Sequence, residues 1–444
     1  MQALGRLVRV RAAIALATAA LGLGLATPAA AVAAQRSAVP TQSQASINDF
    51  YRARGGAPLW FAPNSGLAVR RLMDLMGSAQ ADNLNPNRYL TRGLTRAVRA
   101  ASRGDPRAVA RAEQMLSQAF VAYASDLRRD PNVGIIYVDP ELRPVPPAPL
   151  TLLNQAASAP SLATYVHQMG WMNPVYRQLR EALVGRTYRS ERERRLLAIN
   201  IQRARALPTG NQRYVVVNPA AQRLYMYENG QAVDYMRVVA GKPSPRFAQT
   251  PMMSAYIRFA VLNPYWNSPA DITSAKLAPN VVKYGTKYLR DKGYQVMSDW
   301  SDNARVLDPR SVDWKAVVAG RQIRLRQKPG PANSMGRMKF MFPNKQNIWL
   351  HDTPQKDVLT EDERLVSAGC VRLEDAARLA RWMFGKTVKA QGTRPEQKVA
   401  VPRPVPLYIT YLTAVPSGSS IAYFDDMYGL DAQHAALSRR LARN

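Results

Sequence analysis

Between residues 67 and 127 the apolar positions recur at helical spacing. GLAVRRLMDLMGSAQADNL places Leu67, Leu72, Leu75 and Met76 on one side, and VARAEQMLSQAFVAYASDL repeats the pattern at Val109, Met115, Leu116, Phe120 and Tyr123. Both stretches read as amphipathic helices. A proline-rich break, PELRPVPPAPL at residues 140–150, interrupts them, and helical text resumes over residues 161–183 and 190–206. At Pro208-Thr209-Gly210 the period changes. Strand-like runs follow at residues 214–218, 223–227 and 233–239, the last two joined by Asn229-Gly230, residues that tolerate the positive φ of a tight hairpin turn. Further β-rich runs lie at residues 254–262, 322–326, 347–350 and 405–411. Residues 268–320 are mixed polar text without a clean period, and read as a lid or capping insertion over the sheet. The pattern predicts an α+β chain: a mostly helical domain over 48–207, a β-rich domain over 208–430 and a tail over 431–444.

The first residues follow a different logic. Arg6, Arg9 and Arg11 precede an apolar run over residues 12–26, too short for a comfortable membrane span, and Ala31-Val32-Ala33 and Val32-Ala33-Ala34 both fit a small-residue cleavage site. Residues 1–34 are therefore expected to be a signal peptide and 35–47 a flexible polar lead, which sends the mature chain out of the cytoplasm. Charge then changes meaning. Lys and Arg number 61 against 31 Asp and Glu, a formal +30, so the surface seeks anions. Export argues against nucleic acid, and no basic helix, zinc-finger spacing or aromatic RNA-binding signature supports it. An anionic envelope polymer or an anionic membrane surface fits better.

Export also sharpens the reading of Cys370, the single cysteine of 444 residues. It cannot form an internal disulfide, so it is a free thiol in an oxidising place. A thiolate nucleophile needs a base or a positive field. Only three histidines exist: His167 in helical text, His434 in the tail, and His351 at the end of the strand-like NIWLHD. A strand end puts His351 at a sheet rim, where the loop to Cys370 can return. Gly369 permits a tight approach, so N–H groups of residues 369–371 are candidates for an oxyanion hole. EDAARLARWMF promises a helix whose N-terminus would favour the thiolate, and Arg372 adds a cation. A buried structural cysteine beside an edge histidine remains the alternative at this point. One cysteine with scattered His and Asp gives no metal-ligand spacing.

LHDTP followed by SAGCVRLED resembles the active-site signature of the L,D-transpeptidase family, a His followed by a Ser/Thr-x-Gly-Cys block. GKPSPRFAQTP (residues 241–251), LNPYWNSP (262–269), ANSMGRMKFMFPN (332–344), VPLYITYLTA with YFDDMYG (405–429) and FYRARGGAPLWF (50–61) are similar to the large Gram-negative-type branch. The resemblance implies a periplasmic enzyme without cofactor, probed by carbapenems, in which His351 deprotonates Cys370. The thiolate attacks the third residue of a peptidoglycan tetrapeptide stem, D-Ala leaves, and the side-chain amine of a diamino acid on a neighbouring stem takes the acyl group in a 3→3 cross-link. It also implies a helical scaffold and a monomer that meets stem peptides and other wall-synthesis proteins. Ser367 and Arg372 fall in the signature, Arg372 as a possible carboxylate holder. Tyr265, Trp266 and Asn267 are candidates to line the acyl cleft, Phe342 and Asn344 to shape its floor, and Asp352 to position His351. Two positions depart from many relatives: Ala368 stands where His is frequent, and Trp349 where tyrosine is common. Hydrolysis of the same acyl-enzyme, and a non-catalytic wall-binding scaffold, are the competing readings.

Overall fold

The computed structural model describes residues 41–244 and 248–434; the expected signal peptide and most of the tail lie outside the described residues. The helical part runs from Thr41–Ala53 through Ala68–Gly77, Arg92–Ala101, Pro106–Leu127, Pro149–Ala157, Leu162–His167 and Pro174–Val184 to Glu191–Ala204. Asp105, Ser161, Asn173 and Ser190 each accept a backbone N–H at a helix start, as capping residues do. The lead expected over 35–47 differs: helix begins at Thr41, because Ser43, Ile47, Phe50 and Tyr51 repeat at helical spacing and are buried. Just before the proline-rich stretch lies a strand that the pattern did not announce, β1 (Ile136–Tyr137).

Then come β2 (Tyr214–Asn218), β3 (Arg223–Glu228), β4 (Gln231–Gly241), β5 (Met253–Leu262), β6 (Trp266–Asn267), β7 (Tyr294–Met297), β8 (Val306–Leu307) and β9 (Arg324–Gln327). They are followed by β10 (Met338–Met341), β11 (Leu350–His351), β12 (Leu365–Ser367), β13 (Val371–Leu373), β14 (Gln397–Ile409), β15 (Ala414–Ser417) and β16 (Ser420–Tyr423). Asn229 and Gly230, at φ 51° and 74°, make the expected tight turn between β3 and β4. The main sheet runs β5–β10–β11–β13–β4–β3–β2–β14, and β14 pairs β5 again, closing the ring. Phe340, Leu350 and Val371 form one cross-strand row into its interior, where the helix Ala376–Phe384 adds Leu379, Ala380 and Met383. β1 extends the sheet from the helical part, pairing with Met253 and Ser254.

Residues 266–327 form a cap with its own four-stranded sheet, β6–β9–β7–β8. Leu277, Val281, Leu289, Val296, Trp314 and Leu325 build a separate apolar centre for it. A larger apolar cluster spans the two main parts: Tyr214, Val216, Tyr227, Tyr408 and Leu412 of the β-rich part pack with Trp171, Tyr176, Leu197 and Ile201 of the helices.

Candidate active site

β11 and β13 are adjacent and parallel, with Leu350 opposite Val371 and His351 opposite Arg372. Neighbouring residues of two strands share a face and alternate along each strand. Since Leu350 and Val371 point into the core, His351 and Arg372 point away from it. Continuing the alternation puts Trp349 and Cys370 on that outer face too, with Cys370 diagonal to His351 at about 8 Å between Cα atoms by strand spacing and rise. Lys339 of β10 is opposite His351 and extends the row.

His351 is buried, 3% exposed. Its Nδ1 lies 2.6 Å from the Asp352 carbonyl; a carbonyl only accepts, so Nδ1 carries the proton and Nε2 keeps a lone pair. Burial first, then the Arg372 charge, lower its pKa from 6.5 to about 4. Asp352 thus orients the imidazole through its backbone, while its carboxylate accepts from Lys356 Nζ at 2.8 Å and from the Arg337 N–H at 2.9 Å.

Cys370 is half-buried, and its thiol faces the Asn347 carbonyl at 3.6 Å. Burial pushes its pKa up to about 11, against smaller opposing effects of a Trp349 backbone hydrogen bond and the Arg372 charge. Its surface exposure is intermediate even though protein surrounds the sulfur; the desolvating surroundings govern the charge. The helix expected to assist the thiolate does not face it. Strand β13 intervenes, the helix Ala376–Phe384 starts beyond its far end, and Asp375 caps that helix by accepting from Arg378.

The oxyanion donors also differ from expectation. The Gly369 N–H is engaged by Ser367 Oγ at 3.1 Å, and the Val371 N–H by the Trp349 carbonyl at 2.9 Å. Of the three, the Cys370 N–H alone has no partner among the described residues. Gly369 sits at φ +112°, a conformation that favours glycine, and a Cβ there would also crowd Ile348 Cδ1 at 2.9 Å. Ser367 Oγ donates to the Cys370 carbonyl at 2.6 Å, which makes Ser367 a brace for the Cys370 backbone.

Arg372 Nη1 donates to Gln355 Oε1 at 2.9 Å. No carboxylate pairs with it among the described residues, so its charge is available to an incoming anion. Trp349 touches Phe342 edge-on at 6.1 Å. Phe342 itself is fully buried in the core of the closed sheet, a packing residue and not part of an open pocket floor. Asn344 donates to the Phe342 and Ile348 carbonyls and accepts the Ile348 N–H, which fixes the loop that presents the Asn347 carbonyl.

Tyr265, Trp266 and Asn267 stand at the root of the cap. The Tyr265 N–H donates to Glu396 at 2.6 Å, and Arg326 lies 4.2 Å over its ring. Trp266 lies 6.1 Å from Tyr294, and Asn267 accepts from Arg324 at 3.2 Å. None of the three makes a hydrogen bond or ring contact with Cys370 or His351 among the described residues. Their link to the site is indirect, because Glu396 also meets Lys339 at 3.5 Å. His167 is exposed on its helix. No group of His, Cys, Asp or Glu among the described residues could hold a metal ion. Thr250, Asn347 and Gln355 were not legible as site residues: each acts through contacts across long sequence separations.

Residues 212–401 match the model of the L,D-transpeptidase catalytic domain, and residues 45–183 match that of a scaffold domain. The chain joins an L,D-transpeptidase catalytic domain to a scaffold domain. A Haemophilus influenzae protein named "Putative L,D-transpeptidase" is 29% identical over 281 residues, 61% of this chain and 56% of that protein; the match thus spans little more than half of the relative. The solved structure of Bdellovibrio bacteriovorus Bd1075 aligns with 52% of this chain and 56% of its own at 13% identity and a TM-score of 0.18. Cys370, His351, Ser367 and Arg372 all fall inside the L,D-transpeptidase match.

Proposed function

We propose that this protein is a periplasmic peptidoglycan L,D-transpeptidase with Cys370 as nucleophile and His351 as base. The observation that carries the reading is the buried imidazole whose Nδ1–H is held by the Asp352 carbonyl, leaving Nε2 to accept, on the same sheet face as the one thiol. In the resting site both groups are uncharged, since the thiol is pushed up to about 11 and the imidazole down to about 4. The proton therefore moves to Nε2 in the same step as attack. Sγ bonds to the carbonyl carbon of the third stem residue, the carbonyl electron pair goes onto oxygen, and the Cys370 N–H meets that charge. Collapse expels D-Ala, whose amine takes the proton from His351. The acceptor's side-chain amine then attacks the thioester, gives a proton to His351, and the thiol is restored. Arg372, which no carboxylate pairs with among the described residues, suits a stem carboxylate. The +30 charge fits work beside an anionic envelope polymer.

The test is incubation of purified protein with tetrapeptide-bearing muropeptides and mass spectrometry of the products. A 3→3 dimer that disappears in Cys370→Ala supports the proposal. Loss of D-Ala without a dimer makes the protein a hydrolase, and no change in either makes it a binder.

A further inference from the structure

Thr250 belongs to GKPSPRFAQTP, a stretch the mechanism above leaves without a role. It is 2% exposed. Its Oγ1 donates to the Gly369 carbonyl at 2.7 Å and accepts the Gly241 N–H at 2.8 Å, so both hydrogen-bonding directions of the hydroxyl are committed. The Gly369 carbonyl and the Cys370 N–H belong to one peptide unit. In a trans peptide the two point to opposite sides of a rigid plane, and the described residues contain no cis bond. A hydrogen bond that holds the carbonyl toward Thr250 therefore turns the Cys370 N–H the other way. Among the described residues, that N–H is the unpartnered donor of the three around the nucleophile.

Gly369, at φ +112°, has conformational latitude that an L-residue lacks, so this peptide plane needs an external hold. Thr250 is itself held. Its N–H faces Tyr428 Oη at 3.4 Å, and Tyr428 Oη donates to the Gly241 carbonyl at 2.7 Å. The Tyr428 ring stacks on Tyr411 at 5.0 Å, and the Tyr411 carbonyl accepts from Arg203 of the helical part at 2.9 Å.

We infer that Thr250 is a positioning residue: its hydroxyl fixes the Gly369–Cys370 peptide plane so that the Cys370 N–H is aimed as the oxyanion donor. The inference rests on the reading of Cys370 as the acylated nucleophile. It separates two reactions of the same thiol. Acylation by a carbapenem passes through an oxyanion, whereas alkylation by iodoacetamide displaces iodide at carbon and forms none.

The experiment compares both rates in the full-length wild type, Thr250→Val and Thr250→Ser, with thermal melts to monitor folding. Thr250→Val should slow acylation by about 10- to 100-fold, leave alkylation within about twofold, and Thr250→Ser should restore acylation to within about threefold. Equal acylation in Thr250→Val, an equal fall in both reactions, or no rescue by serine overturns the assignment. If Thr250→Val does not fold, Tyr428→Phe decides, because it frees Thr250 on its far side. A fall of about threefold or more in acylation relative to alkylation supports the inference, and an unchanged ratio ends it. A wild type that is alkylated but never acylated overturns the nucleophile reading itself, and the inference with it.

Discussion

His351 carries a charge state that differs between the folded and unfolded chain. Its folded pKa, about 4, lies below the ordinary 6.5, so the folded protein resists protonation where the unfolded chain accepts it. Its contribution to stability is complete above pH 6.5 and is lost as pH falls toward 4, a change of about 3 kcal/mol. Chemical denaturation of wild type and His351→Gln between pH 7 and 4 should show the steeper loss in wild type. Function follows the same sign: carbapenem acylation of Cys370 should be flat from pH 5.5 to 8 on stopped-flow traces and drop only near pH about 4, as the base becomes charged. Cys370 and His351 stood out as candidates because one thiol and three histidines leave few combinations. The field around them was not. Three N–H groups looked equivalent until strand pairing took Val371 and Ser367 took Gly369, and the nearby helix proved to begin beyond a strand that the short VRL run does not announce.

Elements show the same division. The β3–β4 hairpin was legible because Asn229-Gly230 fixes its turn locally. β14 was half seen: Pro402, Pro404 and Pro406 lack the N–H a strand normally donates, and the pairing with β5 shifts register between Ala400 and Val405, past the first two of them, before Pro406 pairs with Tyr256. The cap strands are two to four residues long, and only β9, which the run at 322–326 overlaps, was read; the others are too short for their alternation to show. Within the site, the loop 344–348 depends on the three hydrogen bonds of Asn344. Asn344→Ala should lower unfolding free energy by about 2 kcal/mol. The same variant should raise the rate of iodoacetamide alkylation, since the Asn347 carbonyl no longer holds the thiol proton in place; equal alkylation rates would show that this loop does not restrain the Cys370 thiol.

At the scale of the molecule, the boundary suggested by Pro208-Thr209-Gly210 separates sequence patterns but not cores. Helical and β-rich residues share one apolar cluster, and Arg203 reaches across to the Tyr411 carbonyl and to Asp431 while nearly fully buried. Differential scanning calorimetry should give a single cooperative transition. Arg203→Met leaves the buried Asp431 charge without its cation and should cost about 3–5 kcal/mol; two resolved transitions in the wild type would contradict this coupling. β1 adds a constraint of another kind. Its strand pairing with Met253 and Ser254, and the Asp139 carboxylate that accepts from Tyr256 and Arg258, depend on chain more than a hundred residues downstream. A chain that emerges N-terminus first must carry this segment unpaired until β5 arrives. Order in time is thus written into the fold: the helical part can begin to assemble alone, but it is finished by the β-rich part that follows it.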